Sequence, residues 1–295
     1  MKILALTQKV DQDDPVLGFF HTWLREMSKQ FEKVTVICLE KGSFNLPGNV
    51  KVLSLGKEES RSKFEYVWRF YTYIWQERKD YDRVFVHMNQ EYVLLAGDLW
   101  RLLGKKVYLW RNHSYSSMLT RLAVFLSNKV FYTSPHSFTA RFEKAVQMPV
   151  GIDTAFFKPD PSVTRVPNSV LFLGRISPIK KVLEFIDWVK STEYSATIAG
   201  PILPEDREYG ELVKQRLQDK IKFIGPVSQK EALKLYQSHE IYVNMTPAGS
   251  FDKTIVEAAA CGMKLEVENP EAKNLKPEEH SLNKLMEKLL KELTS

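Results

Sequence analysis

Two cations, Arg175 and Lys180, follow the apolar run VLFLG at 170–174, with Gly174 between them and the strand that run predicts. Glycine lets a ligand approach the backbone closely, and two cations can grip a diphosphate from either side. A second cluster lies in Glu240–Gly262, EIYVNMTPAGSFDKTIVEAAACG. It predicts a strand over Glu240–Asn244, a polar loop over Met245–Lys253 and a helix ending at Gly262. A polar loop that runs into a helix start presents backbone N–H groups and the positive end of the helix dipole. That arrangement suits phosphate, so the two clusters together point to a nucleotide-activated substrate. Ser250, Phe251, Asp252, Lys253 and Thr254 close the loop, and Glu257 stands one turn inside the helix. A plainer reading stands beside this one. Thr254 and Glu257 have the spacing of a capping box, and Asp252 is an N-cap residue type.

Other candidates carry less. His113 lies in the polar loop RNHSYSS after the strand-like run VYLW, and a solvated loop histidine is the alternative. His21, His87, His136, His239 and His280 have no partner pattern and are read as surface or packing residues. Asp11, Asp13 and Asp14 form a solvated turn rather than a metal cluster, and Cys38 and Cys261 are two buried thiols. No metal and no cofactor are expected. The formal charge of +6 is uneven: residues 1–150 hold 22 Lys and Arg against 15 Asp and Glu. A basic first half suits an anionic partner. No zinc-finger spacing or aromatic RNA-binding signature occurs, so nucleic acid is not expected. Phe64–Trp75 holds seven aromatics among cations. Core packing of an amphipathic helix is the default there. The sharper reading is a peripheral membrane contact through residues 61–79. The N-terminus MKILALTQKVDQDD turns acidic too soon for a signal peptide, and no apolar run approaches the roughly 18 to 20 residues of a bilayer span. A cytoplasmic protein, peripheral at the inner face of the membrane where that contact forms, is the expectation.

The elements that position these residues alternate. Strands are predicted at 2–7, 34–40, 50–55, 84–88, 107–110 and 129–133, with helices at 16–31, 61–79, 92–103, 119–126 and 137–145. Proline-rich residues 150–169 read as a linker. Strands then follow at 170–174, 196–200, 221–225 and 264–267, with helices up to about 190, at 205–217, 229–237 and 281–293. Continuous apolar strands alternating with helices predict an α/β chain of parallel sheets covered on both faces. The expected division is an N-terminal Rossmann-like domain over 1–149, the linker at 150–169, a second Rossmann-like domain over 170–278 and a closing helix at 279–295. Ligands of such sheets bind at the carboxyl ends of the strands, here a cleft between two domains that face each other.

Several segments then fall into one order: Pro15–Gly18, His113, FYTSPHS with Ser134, GIDTAFFKP at 151–159, Gly174-Arg175 with Lys180, IGPVS at 224–228 and Thr254-Ile-Val-Glu257. Their order and spacing resemble the family-4 glycosyltransferases of the GT-B fold, which are retaining and nucleotide-sugar-dependent. The resemblance implies that Arg175 and Lys180 neutralise the departing donor diphosphate and that Glu257 meets the donor ribose. It implies that Gly225–Val227 line the base, that His113 touches the transferring sugar and that Gly18 lets the first loop approach phosphate or acceptor. It implies no metal. Where the family carries a glutamate eight residues before Glu257 this chain has Gly249, and Ser250-Phe251-Asp252-Lys253 replaces its glycine turn. Asp252 is then the residue for sugar hydroxyls, with Lys253 balancing its charge near phosphate. Only 38 residues follow Glu257, fewer than the resemblance implies. The expected activity is sugar transfer from a nucleoside diphosphate sugar to a glycan or lipid-linked acceptor, in a cell-envelope polysaccharide context. A nucleotide-sugar-binding protein without transfer and a GT-B-fold sugar-nucleotide epimerase are the rivals.

Overall fold

A computed structural model describes residues 1–248 and 251–294. The chain divides into two compact units, Met1–Met148 with Leu285–Ser295, and Pro149–Lys284. In the first unit the described elements are β1 (Lys2–Val10), α1 (Gly18–Gln30), β2 (Lys33–Lys41), β3 (Val50–Ser54), α2 (Lys63–Gln76), β4 (Arg83–His87), α3 (Gln90–Leu102), β5 (Lys106–Trp110), α4 (Met118–Leu126), β6 (Lys129–Tyr132) and β7 (Ala145–Gln147). The second unit holds β8 (Val166–Leu173), α5 (Val182–Lys190), β9 (Ser195–Ala199), α6 (Arg207–Arg216), β10 (Ile221–Gly225), α7 (Gln229–Ser238), β11 (His239–Asn244), α8 (Lys253–Ala260) and β12 (Lys264–Val267). The closing helix α9 (Leu282–Thr294) runs into the first unit.

The first sheet has the order β3-β2-β1-β4-β5-β6-β7 and the second β10-β9-β8-β11-β12. Every recorded pairing is parallel. Alternation along each strand sends neighbouring side chains to opposite faces. On one face of the first sheet Val84, Val86, Val107 and Leu109 pack under Phe70 and Ile74 of α2, Val93 and Trp100 of α3 and Val124 of α4. On the other, His87 stacks on Phe20 of α1 at 4.5 Å and Trp23 meets Trp110 at 5.1 Å. Leu293 of α9 offers its carbonyl to Arg83 Nε at 2.9 Å and to the Tyr108 hydroxyl at 3.3 Å. Burial of this kind, at about 1.5–3 kcal/mol per large apolar side chain, holds such a sheet between its helices.

Four local expectations change. Residues 137–145 form no α-helix but a single 3₁₀ turn, Phe138–Arg141, followed by the strand β7. The turn is drawn onto the loop after β5, where Thr139 Oγ1 donates to Arg111 O at 2.7 Å and Phe138 N to His113 O at 2.8 Å. Strand β8 begins at Val166, inside the proline-rich stretch, because its first residue still pairs with His239. Strand β1 continues through Lys9 to Val10, since Asp11, Asp14 and Glu40 hold the Lys9 ammonium at 3.0–3.2 Å. The segment read as a helix from Glu205 begins as a 3₁₀ turn, with α6 starting at Arg207.

Candidate functional site

The strands β8, β9 and β10 lie side by side and each runs out at a glycine: Gly174, Gly200 and Gly225. Gly174 N donates to Ala199 O at 3.0 Å and Gly200 N to Gly225 O at 2.7 Å, so the strand ends are laced together. A Cβ on Gly200 would fall 1.9 Å from Gly174 O, and Gly200 and Gly225 have φ of +143° and +78°. Side chains are excluded there by sterics and by backbone conformation. Space around Gly225 is open to beyond 4 Å. A bare backbone edge results at the carboxyl ends of the strands.

Arg175 leaves this edge half-exposed, its Nε 3.6 Å from Asp206 Oδ2. Lys180 ends a one-turn 3₁₀ helix, Pro178–Lys180, before α5. Its ammonium is held by both Asp252 oxygens, at 2.5 and 2.6 Å, and each side chain is 15% exposed. Asp252 Oδ2 also accepts from Asn244 Nδ2 at 3.1 Å and from Thr246 Oγ1 at 2.9 Å. The carboxylate therefore ties the end of β11, the start of α8 and the Lys180 turn at one point. Asp252 occupies the N-cap position of α8, yet its side chain does not cap that helix. The capping-box reading of Thr254 and Glu257 is thus replaced by other bonds. Tyr242 hydroxyl donates to Thr254 Oγ1 at 2.7 Å, and Tyr236 hydroxyl donates to Glu257 Oε2 at 2.9 Å.

Three residues assigned to the donor face inward. Phe251 is buried, its ring 5.5 Å from that of His280. Lys253 Nζ donates to Val150 O at 2.8 Å and Gly151 O at 3.3 Å, which fastens α8 to the chain after β7. It does not balance charge near Asp252, whose cation is Lys180. Burial brings the Lys253 ammonium down to about 7, against the opposing pull of Glu257. Burial pushes the Glu257 carboxyl up, with the Tyr236 hydroxyl and Lys253 acting the other way. Val227 packs at the margin of the same core. Ser228 caps α7, in a capping box with Glu231. Ser250 and Gly249 lie outside the described residues.

Gly18 and His113 belong to the first unit. Gly18 opens α1, where a Cβ would stand 3.1 Å from Gln12 O. The preceding turn is set by Asp14 Oδ1, which accepts from Val16 N at 2.9 Å and Leu17 N at 2.7 Å. Burial works against the charged Asp14 carboxylate, but the Leu17 amide and the Lys9 ammonium bring it below its usual range. His113 is exposed, and its Nδ1 accepts from Tyr115 N at 3.2 Å. Burial of part of the ring and the nearby Arg111 keep it below the usual histidine range. Among the described residues no group of three His, Cys, Asp or Glu could hold a metal ion.

Sequence reasoning missed Gly200, Tyr236, Tyr242, Asn244 and Thr246. Gly200 had a signal, because ATIAG ends as VLFLG and IKFIG do. The others had none; their roles come from which strand end faces which helix.

No protein of curated function matches the chain in sequence. Solved structures share its fold at low identity. The Anabaena protein Alr3699/HepE, determined with UDP and glucose, superposes with a TM-score of 0.72 at 19% identity, over 94% of this chain and 83% of that one. A sucrose-phosphate synthase from Thermosynechococcus elongatus gives 0.71 at 14% identity, over 100% and 91%. A UDP-GlcNAc 2-epimerase from Methanocaldococcus jannaschii gives 0.52 at 15%, over 97% and 91%. Residues 167–265, which hold Gly174, Arg175, Lys180, Asp252 and Glu257, match the model of the family described as glycosyl transferases group 1, and the whole chain has the two-sheet GT-B fold of such enzymes.

Proposed function

We propose that this protein is a retaining, metal-independent glycosyltransferase that moves a hexosyl group from a nucleoside diphosphate sugar to a glycan or lipid-linked acceptor at the cytoplasmic face of a membrane, in the building of envelope polysaccharide. The observation that carries this reading is the bare glycine edge at Gly174, Gly200 and Gly225, flanked by Arg175 and by the Lys180–Asp252 pair. An edge without side chains admits a flat or anionic ligand against backbone, and two cations beside it stabilise a leaving diphosphate. Support also comes from the UDP and glucose bound by the similar Anabaena protein.

In this reading the acceptor oxygen attacks the anomeric carbon as the bond to the diphosphate breaks. The electron pair leaves on the phosphate oxygen, and the acceptor proton follows to that oxygen on the same face. Arg175 and Lys180 carry the charge that develops, His113 touches the transferring sugar, and Asp252 holds Lys180 in place. Glu257, turned to Tyr236, contributes shape rather than a ribose contact.

Gly249, where the family that the chain resembles carries a glutamate, favours a second reading, a protein that binds nucleotide sugars without transferring them. A thermal-shift panel of UDP-, GDP- and ADP-sugars followed by a product assay separates the two. Transfer should occur, and Arg175→Ala, with its melting temperature unchanged, and Lys180→Ala, assayed below its lowered melting temperature, should each slow it by roughly a hundredfold. Binding without product favours the second reading; normal rates in both variants overturn the first.

A further inference from the structure

The helices α2, α3 and α4 cover one face of the first sheet, and their outer surface is apolar where solvent-facing helices are normally polar. On α2, Phe64, Trp68, Tyr71 and Trp75 are 89, 68, 37 and 54% exposed, while Phe70 and Ile74 behind them are buried. On α4, Met118, Leu119, Leu122 and Phe125 are 80, 55, 46 and 66% exposed, and α3 adds Leu95 and Leu102. The three rows form one surface. Tyr71 hydroxyl donates to Leu95 O at 2.6 Å, which joins α2 to α3. Gly97 brings α3 so close to α4 that a Cβ there would lie 2.9 Å from Leu126 Cβ. Arg101 places its guanidinium 5.5 Å over the Phe125 ring. A connected apolar face of this kind marks a contact surface, unlike single exposed side chains.

Its charge says what it contacts. From Arg101 to Lys144 the chain carries eight Lys and Arg and one acid, Glu143. Arg101 and Arg121 are exposed within the face, Lys63 and Lys79 at the two ends of α2, and Arg78 lies 4.4 Å over the Trp75 ring. Glu91 and Asp98 are the exposed acids of α3, and Glu65 of α2 is engaged by Arg61 at 2.8 Å. A second copy seated symmetrically on this face would bring like-charged arginines together. An anionic bilayer opposes them instead, while Trp and Tyr rings favour the headgroup level.

We infer that the α2–α3–α4 face docks on the surface of an anionic phospholipid bilayer. The aromatic residues of α2 and Phe125 enter the headgroup layer, and Lys63, Lys79, Arg101 and Arg121 meet lipid phosphates. This extends the contact expected of residues 61–79 to three helices and is independent of the donor chemistry.

The test is sedimentation of the full chain with vesicles of phosphatidylglycerol and phosphatidylcholine in equal parts, and with phosphatidylcholine alone, at low and high salt. Anionic vesicles should carry the protein down, with binding weakened by salt. Trp68→Ser with Phe125→Ser, and separately Arg101→Glu with Arg121→Glu, should each reduce binding roughly tenfold or more, with melting temperatures unchanged. Absence of vesicle binding, wild-type binding by both variants, or a dimer that the Trp68→Ser, Phe125→Ser protein fails to form would each overturn the inference. Nucleotide-sugar binding measured on the same samples reports separately on the transferase reading.

Discussion

The Lys180–Asp252 pair is the most exposed to refutation of the site's contacts. Asp252→Asn keeps the size of the side chain and removes its charge. The remaining carbonyl oxygen can still accept from Asn244 and Thr246, but the amide nitrogen then faces the Lys180 ammonium, donor against donor. With both side chains 15% exposed, solvent screens the pair only in part. Loss of a charge-assisted hydrogen bond in this setting costs about 1.5–3 kcal/mol. Lys180→Met loses the same bond and leaves Asp252 with its two neutral donors, so its cost is of the same order. The double variant should cost little more than either single one, because the bond can be lost only once. Denaturant unfolding of all four proteins gives the coupling directly, expected at about 1.5–3 kcal/mol. Nucleoside diphosphate affinity, measured by calorimetry on the same four, should fall in Asp252→Asn and not fall further when Lys180 is also removed. Stability effects that add to within about 0.5 kcal/mol would refute the pairing. Undiminished affinity in Asp252→Asn would refute its role in holding Lys180 for the diphosphate.

Two further outcomes follow from the geometry. Lys253 is brought to about 7 in the folded protein against 10.5 unfolded, so the unfolded chain binds more protons between those values and the fold gains stability as pH rises through them. The gain should approach roughly 1 kcal/mol per pH unit and vanish in Lys253→Met, as urea unfolding at pH 7 and pH 9 will show; an equal pH slope in both proteins would refute it. Gly200→Ala places a methyl group 1.9 Å from Gly174 O at a φ of +143°, which should cost about 1–3 kcal/mol or more in thermal stability and weaken nucleotide binding. Gly225→Ala meets no atom within 4 Å, only the +78° φ, and should cost less.

Apolar runs made most strands legible, with Gly174 and Gly225 at two of their ends, because a strand buried on both faces needs an unbroken apolar sequence; Gly200 was passed over although ATIAG ends in the same way. Arg175 and Lys180 were legible for the same reason: they leave the strand end where the sheet stops. The 3₁₀ turn at Phe138–Arg141 was not, since its form depends on bonds to Arg111 and His113 from the neighbouring strand's loop. Lys9 lay beyond the strand read at 2–7, because nothing in the local pattern shows its pairing with Glu40 or the three carboxylates that enclose it. Short-range pattern reports the period of burial; it does not report which polar side chain meets which across the sheet edge.

The same limit explains the change at α8. By type, Asp252, Lys253 and Glu257 are interchangeable as anion-site or sugar-site residues, and spacing cannot say which of them points inward. In the fold, the helix start is anchored from beneath. Lys253 takes two backbone carbonyls, Glu257 takes the Tyr236 hydroxyl, and Phe251 fills the core beside His280. Two ionisable side chains placed under a helix start are costly to bury unless their hydrogen bonds are made, and here they are made to backbone and to a buried phenol. That leaves the outward side of the loop to Asp252, whose cation is Lys180. The division of labour follows: inner residues fix where α8 begins, and the outer pair is left for the ligand of the proposed function. Tyr236→Phe should therefore destabilise the unit by about 1–3 kcal/mol, through an unsatisfied Glu257, with little change in nucleotide affinity once folded. Loss of affinity without loss of stability would return Glu257 to the ligand.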